Sequence, residues 1–245
     1  MAAGELAADQ AHIWVVRPEE VARLGLVRRY ESLLTPEELA RGKQFRVQSS
    51  RLEHLAARVL VRTVLSKYVD VAPGDWRFGA QPLGRPEVTY PKLAATPRFN
   101  LSHTRGLVVC LVARDRDVGV DVEDTSRAVG FQSIAERYFS AHERADIRSL
   151  SEADGRIRFF QYWTLKESII KALGTRIAFG LSRFRFELTK DSIRVRFDEP
   201  IAEDPEAWQF ALREIGTEHL LAASLRTAGG VPLRIDLREI LPLSP

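Results

Sequence analysis

The stretch Val118-Gly119-Val120-Asp121-Val122-Glu123 has the two-residue period of a β-strand, in which successive side chains point to opposite faces. Asp121 and Glu123 then project from one face, with Val120 and Val122 on the other. Two carboxylates so placed repel each other unless something positive lies between them, and hard oxygen ligands at this spacing suit Mg²⁺ or Mn²⁺. A strand with one solvated edge, carrying ordinary surface acids, satisfies the same pattern.

A second segment bears on that choice. Trp163, Glu167 and Lys171 fall at i, i+4 and i+8, one stripe along a helix, while Tyr162, Leu165, Ile169 and Leu173 supply apolar positions elsewhere on it. An isolated Glu-before-Lys pair is ordinarily a surface salt bridge contributing ~0.3–0.5 kcal/mol. The apolar setting of this pair suits a helix that lines a cleft instead. If the helix packs on the acidic strand, Glu167 brings a third carboxylate and Lys171 a fixed positive charge. Such a group can hold a metal on a pyrophosphate, steady a leaving group and take a proton from a hydroxyl.

Outward from these segments the chain shows a repeated outline. The strand His12 to Val16 precedes a helix expected from about Glu19 to Leu33, and Thr35-Pro36-Glu37-Glu38 forms a capping box with proline at the first helical position. A long helix begins near Ser50, with Leu52, Leu55, Ala56, Val59 and Leu60 on its apolar face and Arg51, Arg58 and Arg62 on its polar one. Prolines 82, 86, 91 and 97 predict loops before the strands Arg98 to Leu101 and Leu107 to Ala113, which turn at Gly106. In the second half the strand at Val118 is followed by a capping box at Ser140-Ala141-His142-Glu143 and a helix from about Gly155 to Gly174. Strands are expected at Arg183 to Leu188, Ile193 to Phe197, Trp208 to Leu212 and Leu220 to Leu225. The expected class is α+β, in two similar sheet-and-helix halves, residues 1–116 and 117–245, with a cleft between halves as a ligand site.

Composition sets outer limits. Of the 245 residues 45% are apolar and 28% charged, the profile of a folded soluble protein. The net charge of +3 is too small to imply nucleic acid. The single cysteine, Cys110, lies in an apolar run and reads as a buried thiol in a reducing compartment. Neither a signal peptide nor a membrane span is evident, so a cytoplasmic location is expected.

The first half offers phosphate-binding groups. Phe99-Asn100-Leu101-Ser102-His103 ends a strand with a hydroxyl and an imidazole, and Gly84-Arg85-Pro86 holds a guanidinium between stiff neighbours. A solvated arginine and a histidine without a catalytic role fit the same residues. A glycine-rich phosphate loop, a GxSxG elbow and histidine or cysteine metal spacings are missing from the sequence, which removes support for nucleotide and serine hydrolases.

In this order the segments resemble the Sfp-type 4′-phosphopantetheinyl transferases over most of the chain. That family's pattern includes a GKP-like loop, an FNISH-like strand end, G(I/V)D(I/V)E and W-x-x-K-E-(S/A)-x-x-K. Here they read Gly84-Arg85-Pro86, FNLSH from Phe99 to His103, GVDVE from Gly119 to Glu123, and WTLKESIIK from Trp163 to Lys171. The resemblance implies a monomer whose two halves are related by pseudo-twofold symmetry, with coenzyme A and Mg²⁺ in the cleft and an apo acyl or peptidyl carrier protein as acceptor. Neither nucleic acid nor membrane is an expected partner. The resemblance further implies that Asp121, Glu123 and Glu167 hold the metal. Glu167 would activate the carrier serine, directly or through water, and Lys171 would assist departure of adenosine 3′,5′-bisphosphate. Asp121 counts among the catalytic residues, and Arg41, Arg85, Ser102, His103 and Lys171 would bind the cofactor. Two departures stand out: Arg85 replaces the usual lysine, and Glu38 stands where some members carry a second basic residue, which weakens the expected grip there. The rival expectations are a metal-dependent coenzyme A pyrophosphate hydrolase and a non-catalytic module that binds coenzyme A or a carrier.

Overall fold

The computed structural model describes residues 6–80, 86–93, 96–174, 180–198 and 203–243. They cluster into two compact units, Met1–Arg116 together with Leu233–Pro245, and Asp117–Pro232. No helix among the described residues is long and apolar enough to cross a membrane.

In the first unit β1 (Gln10–Val16) leads into α1 (Pro18–Arg23) and α2 (Val27–Glu31). The single helix expected over Glu19 to Leu33 is broken because Gly25 adopts a φ of +68°, and the amides of Gly25 and Leu26 turn back to the carbonyls of Ala22 and Val21. This 5→2 and 6→1 pair ends a helix and needs a left-handed residue. Next come α3 (Pro36–Gln44), started by the Thr35–Glu38 capping box, and α4 (Gln48–Leu65).

Arg62, expected on the polar face of α4, is fully buried. Its guanidinium donates to Glu38 Oε2 at 2.7 Å and to the Arg58 carbonyl at 3.0 Å, so the charge goes inside with its partners. Glu38 therefore works twice, as the cap of α3 and as the counter-ion of Arg62. This gives the acidic residue at that position a structural reason.

The prolines do not keep the following stretch free of strands. β2 (Arg77–Ala80) pairs antiparallel with β3 (Pro86–Tyr90), where Pro86 opens the strand and so takes a position that tolerates the missing N–H. β4 (Arg98–Thr104) and β5 (Leu107–Ala113) follow, turning at Gly106 as expected, with φ +78°. β5 lies between β1 and β4, and Val108, Cys110 and Val112 share one core with Val59, Leu60 and Val64 of α4. Burial pushes the Cys110 thiol well above its usual range, in keeping with an inert core residue.

The second unit repeats this topology. β6 (Val118–Asp124) is followed by α5 (Phe131–Tyr138), by α6 (Ala141–Arg148) with its Ser140–Glu143 capping box, and by α7 (Glu152–Leu173). Ser151 caps the start of α7, and Gly174 ends it at φ +68°. A strand pair, β7 (Phe184–Leu188) and β8 (Ile193–Phe197), precedes β9 (Trp208–Ile215) and β10 (His219–Arg226). Strand order β6-β10-β9 in this unit matches β1-β5-β4 in the first. The last strand, β11 (Arg234–Glu239), had no counterpart in the expected elements and runs parallel to β1. The second unit accordingly ends at Pro232 and not at residue 245. The open edge of β1 takes β11 as a partner, and Arg238 fixes it by donating to His12 Nε2 at 3.0 Å and stacking over Trp14.

Two contacts hold α7 in place. Lys166 and Glu143 form a fully buried ion pair at 2.9 Å. Lys166 also donates to the carbonyls of Leu181 and Phe184, while Glu143 accepts from the Phe186 amide, so every charge is bonded. The second contact is a close approach. A Cβ on Gly119 of β6 would stand 2.0 Å from the Ser168 carbonyl oxygen and 2.4 Å from the Ala172 nitrogen. Opposite Gly119 lies Ser224 of β10, whose hydroxyl meets that of Ser168 at 2.6 Å.

Gly119→Ala should therefore destabilise the protein by about 3 kcal/mol, because neither obstructing group is a flexible side-chain end. Gly74→Ala, where the new carbon would meet only Leu33 at 3.6 Å, should change stability by no more than about 1 kcal/mol. Urea unfolding of the two variants measures the difference; equal midpoints would contradict the close-approach account.

Candidate active site

With α7 seated on Gly119, the polar alternates of β6 and the stripe of α7 face each other. Lys171 Nζ donates to Asp121 Oδ1 at 2.7 Å. One turn before Lys171 lies Glu167, and one turn before that Trp163, whose indole N–H donates to Glu123 Oε1 at 2.8 Å. The other oxygen of Glu123 meets the Arg127 guanidinium at 3.3 Å. Asp121 and Glu123 are only 5% and 9% exposed, which excludes the solvated-edge interpretation of this strand.

Burial and mutual repulsion set the charge state of the cluster. The Glu167 carboxyl is pushed up to about 7, first by burial and then by the negative charges of Asp121 and Glu123, with Lys171 pulling the other way. Glu123 is likewise pushed up to about 7 by burial and by Asp121, against the opposing pull of Arg127, Trp163 and Lys171. Glu167 Oε1 is buried and has no hydrogen-bond partner among the described residues. A buried, unbonded carboxylate oxygen is costly unless a ligand satisfies it.

These side chains fit a divalent cation in chemistry: hard oxygens, an excess of negative charge and an orphaned acceptor. Among the described residues no group of three or more His, Cys, Asp or Glu side chains is disposed to enclose a metal. Lys171 and Arg127 stand at two of the carboxylates, where they supply the positive charge.

Of the residues expected from sequence, Asp121, Glu123, Glu167 and Lys171 thus meet within the second unit. Arg41 on α3 and Ser102 and His103 on β4 belong to the first; Arg41 and His103 are exposed and Ser102 is buried. Arg85 lies outside the described residues. Three contributors were not foreseen. Helical spacing puts Trp163 on the right stripe but names no partner for its indole, Arg127 sits past the strand where periodicity has ended, and Lys166 proves to be an internal anchor.

The comparisons with known proteins converge on one family. Residues 117–224 match the model of the 4′-phosphopantetheinyl transferase superfamily, a span that contains every member of the acidic cluster. The chain is similar to the 4′-phosphopantetheinyl transferase HetI of Nostoc sp., 32% identical over 176 residues that cover 71% of this chain and 72% of that one. It is also similar to a phosphopantetheinyl transferase of Thraustochytrium sp., 34% identical over 80% of this chain and 72% of that one. With the 4′-phosphopantetheinyl transferase Sfp of Bacillus subtilis it shares 29% identity over 72% of this chain and 76% of that one. Since the matched span is also where β6 and α7 assemble their acids and lysine, the chain belongs to the 4′-phosphopantetheinyl transferase superfamily.

Proposed function

We propose that the protein transfers the 4′-phosphopantetheine arm of coenzyme A to a serine of an apo acyl or peptidyl carrier protein, with adenosine 3′,5′-bisphosphate as the other product. Family membership supports this reading. So does one observation above the rest: Glu167, with its unbonded buried oxygen and a carboxyl near neutrality, stands beside the Asp121–Lys171 pair.

Asp121, Glu123 and Glu167 would hold Mg²⁺, or Mn²⁺, whose charge when bound offsets that of the pyrophosphate oxygens. The serine Oγ attacks the β-phosphorus, the bond from that phosphorus to the bridging oxygen of the α-phosphate breaks, and the leaving oxygen keeps the electron pair. Glu167, titrating near 7, is suited to accept the hydroxyl proton. Lys171 places a fixed positive charge where negative charge develops on the leaving group. Arg41, Ser102, His103 and Arg85 are proposed as contacts for the phosphates of coenzyme A. A monomer working in the cytoplasm completes the proposal.

Incubation with coenzyme A, Mg²⁺ and a panel of apo carrier proteins, followed by mass spectrometry of the carriers, tests the activity. The expected product is a phosphopantetheine adduct on a serine, formed at least about 100-fold more slowly by Asp121→Ala and Glu167→Ala. Carriers left unmodified throughout the panel would refute the transferase reading, and wild-type rates in both variants would refute the assigned roles.

The charge state gives a second test. The carboxyls of Glu123 and Glu167 titrate near 7 in the folded protein and near 4.5 in the unfolded chain. Their contribution to stability is therefore full below 4.5 and is lost as pH rises through 7. A cation that offsets their repulsion should raise the thermal midpoint more at about pH 8 than at about pH 5.5. Equal increments from Mg²⁺ at the two values would contradict the metal assignment.

A further inference from the structure

Glu123 differs from its neighbours in how it is held. Its Oε1 takes the Trp163 indole N–H at 2.8 Å, and its Oε2 faces Arg127 at 3.3 Å, on a side chain that is 44% exposed. The two contacts are unlike. An indole N–H carries no charge and does not titrate, so it orients a carboxylate without neutralising it. The guanidinium belongs to a half-exposed side chain four residues along the chain, which can leave the buried carboxylate for solvent.

The indole itself has little freedom. Its ring stacks on Phe159 with centroids 6.0 Å apart and planes at 23°, and meets Tyr138 at 6.2 Å edge-on and Phe139 at 6.4 Å. Phe159, Phe139 and Tyr138 belong to or adjoin α7 and α5, and Phe159 and Phe139 are themselves buried in the core of the unit. The donor is thus fixed by packing, and through it the rotamer of Glu123.

We propose that Trp163 is a positioning residue for the divalent cation: its indole N–H clamps Glu123 Oε1 and leaves Oε2, the oxygen now shared with Arg127, as the one offered to the metal. This rests on the metal reading of the acidic cluster. It assigns the first residue of the WTLKESIIK segment a task separate from those of Glu167 and Lys171, namely to set a ligand on the opposing strand. Outer partners that orient a metal ligand typically matter by 10- to 100-fold in affinity.

Trp163→Phe removes the donor and keeps an aromatic ring in the stack. Titration of the protein with Mn²⁺, followed by the electron paramagnetic resonance signal of the free ion, measures the metal alone without any turnover. Weakening of Mn²⁺ binding by about tenfold or more is expected in Trp163→Phe. The same substitution should cause no further weakening in a Glu123→Gln background, because its effect runs through that carboxylate. Wild-type affinity in Trp163→Phe overturns the positioning role and leaves the metal site standing. An equal loss in both backgrounds also overturns it, since general disturbance of packing would act regardless of Glu123. A wild-type protein that takes up no Mn²⁺ removes the metal reading and this inference with it.

Discussion

Helix α7 lies on β6 and β10 at a distance that only a hydrogen at position 119 permits, with Ser168, Ala172 and Ser224 as the other small residues at the contact. Side chains on a helix spaced by four residues stack along one face, and those on a strand spaced by two share one side. Bringing the two elements this close makes both periodicities meet. Asp121 and Glu123 come from one, and Trp163, Glu167 and Lys171 from the other. A β-carbon there would hold the helix further out and lengthen the span that Lys171 bridges to Asp121. The buried Lys166–Glu143 pair then fixes α7 from its far side through the carbonyls of Leu181 and Phe184 and the amide of Phe186.

The electrostatics follow from that geometry. Three largely buried carboxylates this close together cannot all ionise freely, and the two glutamates respond by shifting toward neutrality. Lys171 relieves Asp121, and Arg127 with Trp163 relieves Glu123, while an oxygen of Glu167 stays unbonded among the described residues. The site is therefore built at a cost in stability, and that cost is what a cation or a substrate proton can relieve. A group poised near neutrality is also the kind that can accept a proton from a weakly acidic hydroxyl.

Much of this was legible in the sequence because it rests on short-range periodicity. The alternation around Asp121, the i, i+4, i+8 stripe, both capping boxes and most strands of the second unit follow local rules, and the structure keeps them. The expectations failed where a partner distant in sequence decides the outcome. Arg62 looked like a surface residue because nothing local reveals that Glu38 would meet it inside. The strand β11 was missed because its six residues gain their place only from the unpaired edge of β1, more than two hundred residues earlier. The helix break at Gly25 was in principle readable, since glycine followed by an apolar residue is a common way to end a helix. The pairing of Trp163 with Glu123 was not, because a pattern places a side chain on a face but does not name its hydrogen-bond partner.

In the proposed function β6 and α7 together form one cation site. A crystal of the protein grown with coenzyme A and Mn²⁺ tests it directly through the anomalous signal of the metal. The expected result is a single peak within bonding distance of carboxylate oxygens from Asp121, Glu123 and Glu167 alike. A manganese peak that Glu167 does not touch, or one lodged away from β6, would contradict it.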